Sequence, residues 1–282
     1  MCALARPDPV PPLTGRLRWM AIGTGVFTGA AAGLVGVGGG EFRIPALVRA
    51  LKLPIREAAS INLVIGLCTV AMSLARRASS LAWTPEVVVL AAIMSTASIV
   101  GASIGCRWRV RVPVTTLKRI VMGYLLLVGS WMIYESLTHT EHVLLAPVGL
   151  AQWGLAGAVA FGIAWLGGVL GVAGGEMRIP ALLYLFALPL RDAGTLSLLV
   201  SIPTVAAGAV TDRWAGRMPN TALVLGGLMG AASIVGVLLG AAWLPHINSH
   251  ALKGVFGGVL LLATLRLAAP IRESKSNDGR GA

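Results

Sequence analysis

The sequence is poor in charge: Asp, Glu, Lys and Arg together make up 12% of its 282 residues. A soluble domain carries about 25% of these residues, so this chain lacks the side chains needed to cover a water-facing surface. That argues against a soluble enzyme and a disordered tail protein. The three cysteines, Cys2, Cys68 and Cys106, include no Cys-x-x-Cys pair. We therefore expect neither a disulfide scaffold nor a cysteine metal cluster.

The sequence also lacks the motifs of enzymes and nucleotide-binding proteins. It contains no nucleophile motif, and its glycine-rich segments lack the Gly-Lys-Ser/Thr ending of a phosphate-binding loop. We expect no enzymatic activity and no cofactor. His246 and His250 are four residues apart, but Pro245 and Asn248 place them in a loop. A metal site needs further ligands, so none is predicted.

Apolar residues dominate what the chain does contain. Hydrophobic types make up 56% of it, 36 residues are glycine, and the mean hydropathy is +0.81. Apolar runs of about 20 residues can cross a bilayer as helices, and glycine is tolerated there. These features predict an all-α polytopic membrane protein. The net charge of +12 is then explained by basic residues in cytoplasmic loops, not by a nucleic-acid partner.

The chain is one unit repeated at an offset of 135 residues. Residues 36–47 and 171–182 are identical at 10 of 12 positions, and further matches follow without a gap. Two homologous halves are typical of membrane transporters, in which the substrate site lies where the repeats meet. We therefore predict a cytoplasmic tail at 1–16, membrane repeat 1 at 17–138, membrane repeat 2 at 139–269 and a cytoplasmic tail at 270–282.

Each half contains four long apolar stretches and one short stretch, at 44–53 and 179–188. Ten helical residues cover about 15 Å of the roughly 30 Å hydrocarbon core. The short stretch is either re-entrant, which gives four crossings per half, or lengthened by the glycine-rich segment, which gives five. Five crossings place 16 basic residues inside and 4 outside, whereas four crossings place 11 and 12. The positive-inside rule favours five crossings, inverted repeats and cytoplasmic termini.

The glycine-rich segments before the short stretches form the candidate site. Irregular backbone survives at membrane depth only where protein or a water-filled cavity satisfies its polar groups. A proline at the first helical position then allows a helix to begin, and the free N–H groups there suit an anion. The arginines add a planar fork for an oxyanion. The predicted substrate-binding residues are Gly38, Gly39, Gly40, Glu41, Arg43, Pro45, Gly174, Gly175, Glu176, Arg178 and Pro180.

The two glutamates leave two interpretations open, because each can hold an arginine in place or take part in proton coupling. The segments themselves have a structural alternative, in which glycine breaks allow close helix packing and Glu41 pairs internally with Arg43. Two copies at a fixed spacing favour a substrate site. The Gly-x-x-x-Gly patterns at 101–105 and 236–240 are instead interpreted as helix-packing sites. Candidate pathway residues near the breaks are Ser60, Asn62, Thr195 and Ser197.

The duplicated Gly-x-Gly-Gly-Gly-x-x-x-x-Pro pattern lies at 36–45 and, with Ala173 in place of one glycine, at 171–180. It resembles the sulfite exporter TauE/SafE family, and the resemblance covers residues 17–268. The resemblance implies a plasma-membrane (bacterial inner-membrane) secondary transporter for sulfite or another small sulfur-containing or organosulfonate anion. A passive anion channel of the same architecture is the alternative. Protons are a candidate coupling ion, and a homo-oligomer is a candidate assembly.

Overall fold

The computed structural model describes residues 15–35, 40, 43–44, 47, 53, 55–81, 83–111, 113–138, 149–218, 220–243 and 248–268. This part of the chain contains no strand; it forms a short 3-10 turn at Ala78–Ser80 and nine helices. The helices are α1 (Gly15–Val35), α2 (Ile55–Arg77), α3 (Pro85–Trp108), α4 (Val114–Thr138), α5 (Leu150–Leu170), α6 (Gly175–Phe186), α7 (Leu190–Trp214), α8 (Asn220–Trp243) and α9 (Ser249–Ala268).

Five of these helices are long and apolar enough to cross a membrane: the greater part of α2, all of α3, α5 and α7, and the greater part of α8. Capping residues explain where one of these helices begins. At the start of α3, the hydroxyl of Thr84 accepts a hydrogen bond from the Val87 amide at 3.3 Å, and Pro85 takes the first helical position. The prediction of an all-α polytopic membrane protein is confirmed.

The two halves are interleaved, because α1 packs along α8 while its repeat equivalent α5 packs along α3. Glycine makes this close approach possible: a Cβ atom would collide with the facing backbone at Gly101, Gly105, Gly236 and Gly240. The carbonyls that face these glycines are themselves related by the 135-residue offset, namely Val26 and Ala30 in one pair of helices and Phe161 and Trp165 in the other. The predicted packing role of the four glycines is confirmed.

The repeat equivalents α2 and α7 run antiparallel where they cross. Ser60 near the start of α2 bonds to Asp212 near the end of α7, at 2.6 Å. Gly66, further along α2, lies next to Val205, which comes earlier in α7. The equivalents α4 and α9 are antiparallel by the same criterion. Helices related by the repeat therefore point in opposite directions, so the repeats are inverted.

The consecutive long helices α1 and α2 run parallel, since both run parallel to α8. The contacts that show this are Gly25 with Met229, Gly33 with Val237, Val64 with Gly226 and Thr69 with Ser233. Two successive membrane helices that point the same way require a return across the membrane between them. In the second half the returning segment, residues 171–189, is described throughout. Its helix α6 covers about 18 Å, and the break before it adds length, as the prediction of five crossings per half requires.

The charges of the loops predict the sidedness of the bundle. We expect residues 107–118 to face the cytoplasm, because this segment carries a cluster of Arg and Lys and such residues are retained on that side. The connection at 138–142 should face outside. Reporter fusions, or labelling of introduced cysteines from either side, would measure both. Cytoplasmic labelling at 138–142 together with cytoplasmic termini would contradict the inverted arrangement.

Candidate functional site

The break in the second half is built by glycine. Four residues separate α5 from α6, and two of them, Gly171 and Gly174, have φ values of 77° and 72°. This left-handed conformation favours glycine because a Cβ atom is strained there. The amide of Gly171 donates to the carbonyl of Gly167 at 2.7 Å, which closes the last turn of α5. The non-helical backbone predicted for this segment is confirmed at residues 171–174, but the prediction is wrong at Gly175, which is the first residue of α6.

Pro180 does not begin the short helix, so that part of the sequence prediction is wrong. The helix α6 begins at Gly175, and Pro180 is its sixth residue. The start is set by the left-handed Gly174, whose carbonyl accepts the first helical bond, from the Arg178 amide at 3.0 Å. Proline removes the amide that would otherwise bond to the carbonyl of Glu176. As a consequence, Glu176 and Arg178 lie inside the beginning of the helix and not before it.

The glycine-rich segment of the first half lies against the break of the second half. Gly40 is buried and helical, and a Cβ atom on it would stand 2.7 Å from Nδ2 of Asn62 and 3.3 Å from Cγ1 of Val172. Val172 belongs to the break of the second half, so the two glycine-rich segments meet here. Four of the predicted residues lie outside the described part of the chain: Gly38, Gly39, Glu41 and Pro45.

Asn62 links α2 to this junction. Its Nδ2 donates to the Gly171 carbonyl at 2.7 Å, and this bond fixes the amide orientation because only the nitrogen can donate. Its Oδ1 is buried and has no hydrogen-bond partner anywhere in the described ranges. The repeat equivalent of Asn62 is Ser197. The Ser197 hydroxyl is also buried and has no hydrogen-bond partner in the described ranges. Buried polar atoms are rarely left this way in folded proteins, so both positions can serve a ligand.

Three charged side chains are completely buried around the breaks: Arg43, Glu176 and Arg178. The Glu176 carboxylate interacts electrostatically with both guanidinium groups. Because Arg43 comes from the first half and the other two from the second, one carboxylate connects the two repeats. We call these three residues the Glu176 cluster. Isolated buried charges are very costly, so each member depends on the others for its place in the bundle.

One edge of the Arg178 guanidinium is anchored on α7. Nη1 donates to the Ser201 hydroxyl at 2.7 Å and to the Ser197 carbonyl at 3.2 Å. Nη2 reaches the carbonyl of Ala173, in the break, at 3.5 Å. Nε is buried and has no acceptor among the residues that the structure places. The side chain is thus held in a fixed orientation, and its Nε remains able to donate a hydrogen bond.

These features together favour negative charge. Within the described ranges, the Glu176 cluster contains two cations and one anion. The first amides of α6 lie at its N-terminal end, which begins at Gly175. They add partial positive charge at the same end. The arrangement can therefore hold a small oxyanion between the repeats.

A second group of buried charges lies where α3 and α7 end and α2 begins. The Asp212 carboxylate accepts from Arg109 Nη1 and from the Ser60 hydroxyl, both at 2.6 Å. Its other oxygen accepts from Arg217 Nε at 3.0 Å and Nη2 at 2.8 Å. Asp212 is 0% exposed, Arg109 is 3% exposed and Arg217 is 21% exposed. We call these four residues the Asp212 cluster.

Arg109 also closes the broken end of α5. Its Nε donates to the carbonyls of Gly168 and Val169 at 3.2 and 3.1 Å, and its Nη2 donates to Gly168 at 2.7 Å. The last carbonyls of a helix have no partners inside it, and a cation there is favourable. The Asp212 cluster is therefore connected to the break through the end of α5.

Arg109 is one of the 16 basic residues that the five-crossing topology places inside, and the sequence did not predict its pairing with Asp212. The two residues are 103 positions apart, and no spacing rule connects positions so far separated. One signal was available. The repeat offset aligns Asp212 with Arg77, so the acid at the end of the second-half helix is not shared by the first half.

Comparison with known proteins agrees with the two-half organisation. A protein-family model described as "Sulfite exporter TauE/SafE" matches residues 2–132 and 149–281. The two matched segments correspond to the two halves and together span nearly the whole chain. No curated protein and no solved structure gives a match.

Proposed function

The chain belongs to the sulfite exporter TauE/SafE family, and from that premise we propose that it is a secondary transporter for a small sulfur-containing anion. The family is one of membrane transporters for sulfur anions and not of enzymes. The helices described above make the chain a multi-pass membrane protein. The finer proposal is that the anion is sulfite or an organosulfonate, that the membrane is the bacterial inner membrane, and that the site lies between the two breaks.

The Glu176 cluster is the observation that supports this site. It joins the two halves through buried charges, and in transporters with inverted repeats the substrate binds at the repeat interface. Arg178 Nε and the Ser197 hydroxyl are buried atoms still able to donate hydrogen bonds. Guanidinium groups suit planar and tetrahedral oxyanions because their donors form a rigid fork. A sulfite or sulfonate group supplies the acceptors that such a fork requires.

Binding an anion here would change the environment of Glu176. An anion that takes up the guanidinium donors competes with the carboxylate for the same positive charge. The neutral carboxylic acid is then favoured, because burial opposes an unpaired charge. Proton uptake would accompany anion binding, which is the requirement for coupling the anion to a proton gradient. The alternative role of Glu176 is to hold the arginines in place.

Transport in liposomes tests the proposal. Thermal-shift screening against sulfite, thiosulfate, sulfate and sulfonates would first select an anion that raises the melting temperature. We then expect purified protein to accumulate that anion when a proton gradient is imposed, and to stop when the gradient is collapsed. A passive channel would only equilibrate the anion. If no sulfur-containing anion stabilises or crosses, the proposed function is wrong.

Glu176→Gln separates coupling from support within the same assay. Glutamine keeps the shape of the side chain but cannot be ionised. Under coupling, the variant should still bind the anion while its transport loses its dependence on pH. If Glu176 only supports the arginines, the variant should lose binding or folded protein, and any remaining transport should keep the wild-type pH profile.

A further inference from the structure

The Asp212 cluster joins the two halves on one side of the bundle. Ser60 and Arg109 come from the first half, whereas Asp212, Arg217 and the capped end of α5 come from the second. The contacts are short and the central pair is almost fully buried. Removing one partner from a buried ion pair is strongly destabilising, because the remaining charge is left without compensation. The cluster therefore ties the two halves together on this side of the bundle.

The sequence does not repeat the Asp212 cluster on the opposite side of the bundle. The repeat offset aligns Asp212 with Arg77 and Arg109 with Leu244, so the acid is replaced by a base and the base by an apolar residue. Arg77 is 3% exposed, and its strongest charge interaction is with another cation, Arg191. Its Nη1 has no hydrogen-bond partner in the described part of the chain. Among the residues that the structure describes, the positions aligned with the Asp212 cluster therefore do not repeat its acid–base pairing on the other side.

We propose that the Asp212 cluster is a releasable clamp that closes one entrance of the transporter. A site between inverted repeats becomes accessible when the repeats separate on one side at a time. Separation on this side requires Arg109 to leave both Asp212 and the carbonyls at the end of α5. Arg109 is thus a positioning residue for the break, since the same guanidinium that closes the entrance holds the helix end before Gly171. The inference depends on the chain being a transporter, but not on which anion it carries.

Cys106 provides a native reporter for the clamp. Its side chain is fully buried, and its sulfur lies 3.5 Å from Arg109 Nη2 and 3.5 Å from the Gly168 carbonyl. Its own carbonyl accepts from Arg217 Nη2 at 3.2 Å. The thiol is therefore covered by the groups that must move when this side opens. Replacing Cys2 and Cys68 with serine leaves Cys106 as the chain's single thiol.

The test is the rate at which N-ethylmaleimide labels Cys106 in this background, without any anion present. We expect slow labelling in the parent and labelling at least tenfold faster in Asp212→Asn, because the amide cannot neutralise two guanidinium groups. Asp212→Glu should restore slow labelling in large part, since it keeps the charge. The matched control is Asp192→Asn, the same change on a partly exposed residue at the opposite end of α7; it should leave the rate unchanged.

Two results would overturn the clamp: unchanged labelling in Asp212→Asn, or an equal increase in Asp192→Asn. If Asp212→Asn fails to reach the membrane, Arg217→Gln provides the test. Arg217 is the most exposed charged residue of the cluster, at 21%, and its loss should raise the labelling rate a few-fold. Unchanged labelling in Arg217→Gln would then contradict the proposal. Anion binding by thermal shift is recorded separately, so failure of the clamp and failure of the proposed substrate site are distinguishable.

Discussion

Replacing Arg178 or Arg43 with alanine should weaken anion binding about 100-fold, a loss of about 2.7 kcal/mol. Each guanidinium is completely buried and interacts electrostatically with Glu176. Truncating one member of a buried charge pair costs about 2–5 kcal/mol, much of it from the charge left unpaired. The same change would remove donors for the anion and leave the carboxylate to repel it. Binding by thermal shift or calorimetry, together with flux in liposomes, would measure the loss.

The controls distinguish a binding fork from general positive charge. Arg76→Ala removes an exposed arginine at the end of α2 and should leave binding unchanged. Arg178→Lys keeps the charge but not the fork that reaches Ser201 and the Ser197 carbonyl, so it should recover less than about a tenth of the lost affinity. Normal transport by well-folded alanine variants at both positions would show that the arginines are structural.

Gly240→Ala should destabilise the protein by about 1–3 kcal/mol, the usual range for overpacking. Helix propensity alone predicts the opposite, because alanine exceeds glycine by about 1 kcal/mol in a helix interior. The new Cβ would collide with the Ala30 carbonyl on α1, and backbone cannot move aside as a flexible side chain can. The melting temperature in detergent should fall accordingly.

Gly227→Ala on the same helix is the matched control, since a Cβ there meets nothing within 4 Å. It should be neutral or slightly stabilising. Gly105→Ala, the repeat equivalent of Gly240→Ala, would collide with the Trp165 carbonyl and should show a similar loss. Equal stability of Gly240→Ala and Gly227→Ala would contradict the close packing of α1 on α8.

The architecture was predictable because the evidence for it is repetitive. Hydropathy locates the apolar helices, the 135-residue offset relates the two halves, and loop charge predicts which side each loop faces. Each of these signals extends over the whole chain, and together they predict inverted halves with five crossings. The Gly-x-x-x-Gly sites were also predictable, because their role depends only on small size at helical spacing. The assignment at Pro180 failed because a proline is compatible with several positions in a short helix, whereas the left-handed Gly174 determined where α6 begins.

The site was predictable in its members but not in its connections. The sequence identified Arg43, Glu176 and Arg178 by their place in the duplicated motif. Only the fold showed that the Glu176 carboxylate interacts electrostatically with both arginines. Asn62 was one of several candidate polar residues, and its bond to the Gly171 carbonyl singles it out. Long-range pairs such as Arg109 with Asp212 leave no trace in local spacing, because tertiary packing alone brings them together.

The interleaving of the halves has a consequence for how the chain is made. The glycine face of α1 finds its partner on α8, about 200 residues later in synthesis, so α1 must wait in the bilayer with its docking surface uncovered. Contacts of such long sequence separation slow folding and lengthen the time in which wrong partners can form. Neither half can complete its packing alone, since each supplies the surface the other lacks. Maturation of this protein is therefore governed by its last helices, and a nascent chain stalled before α8 would hold inserted but unassembled segments.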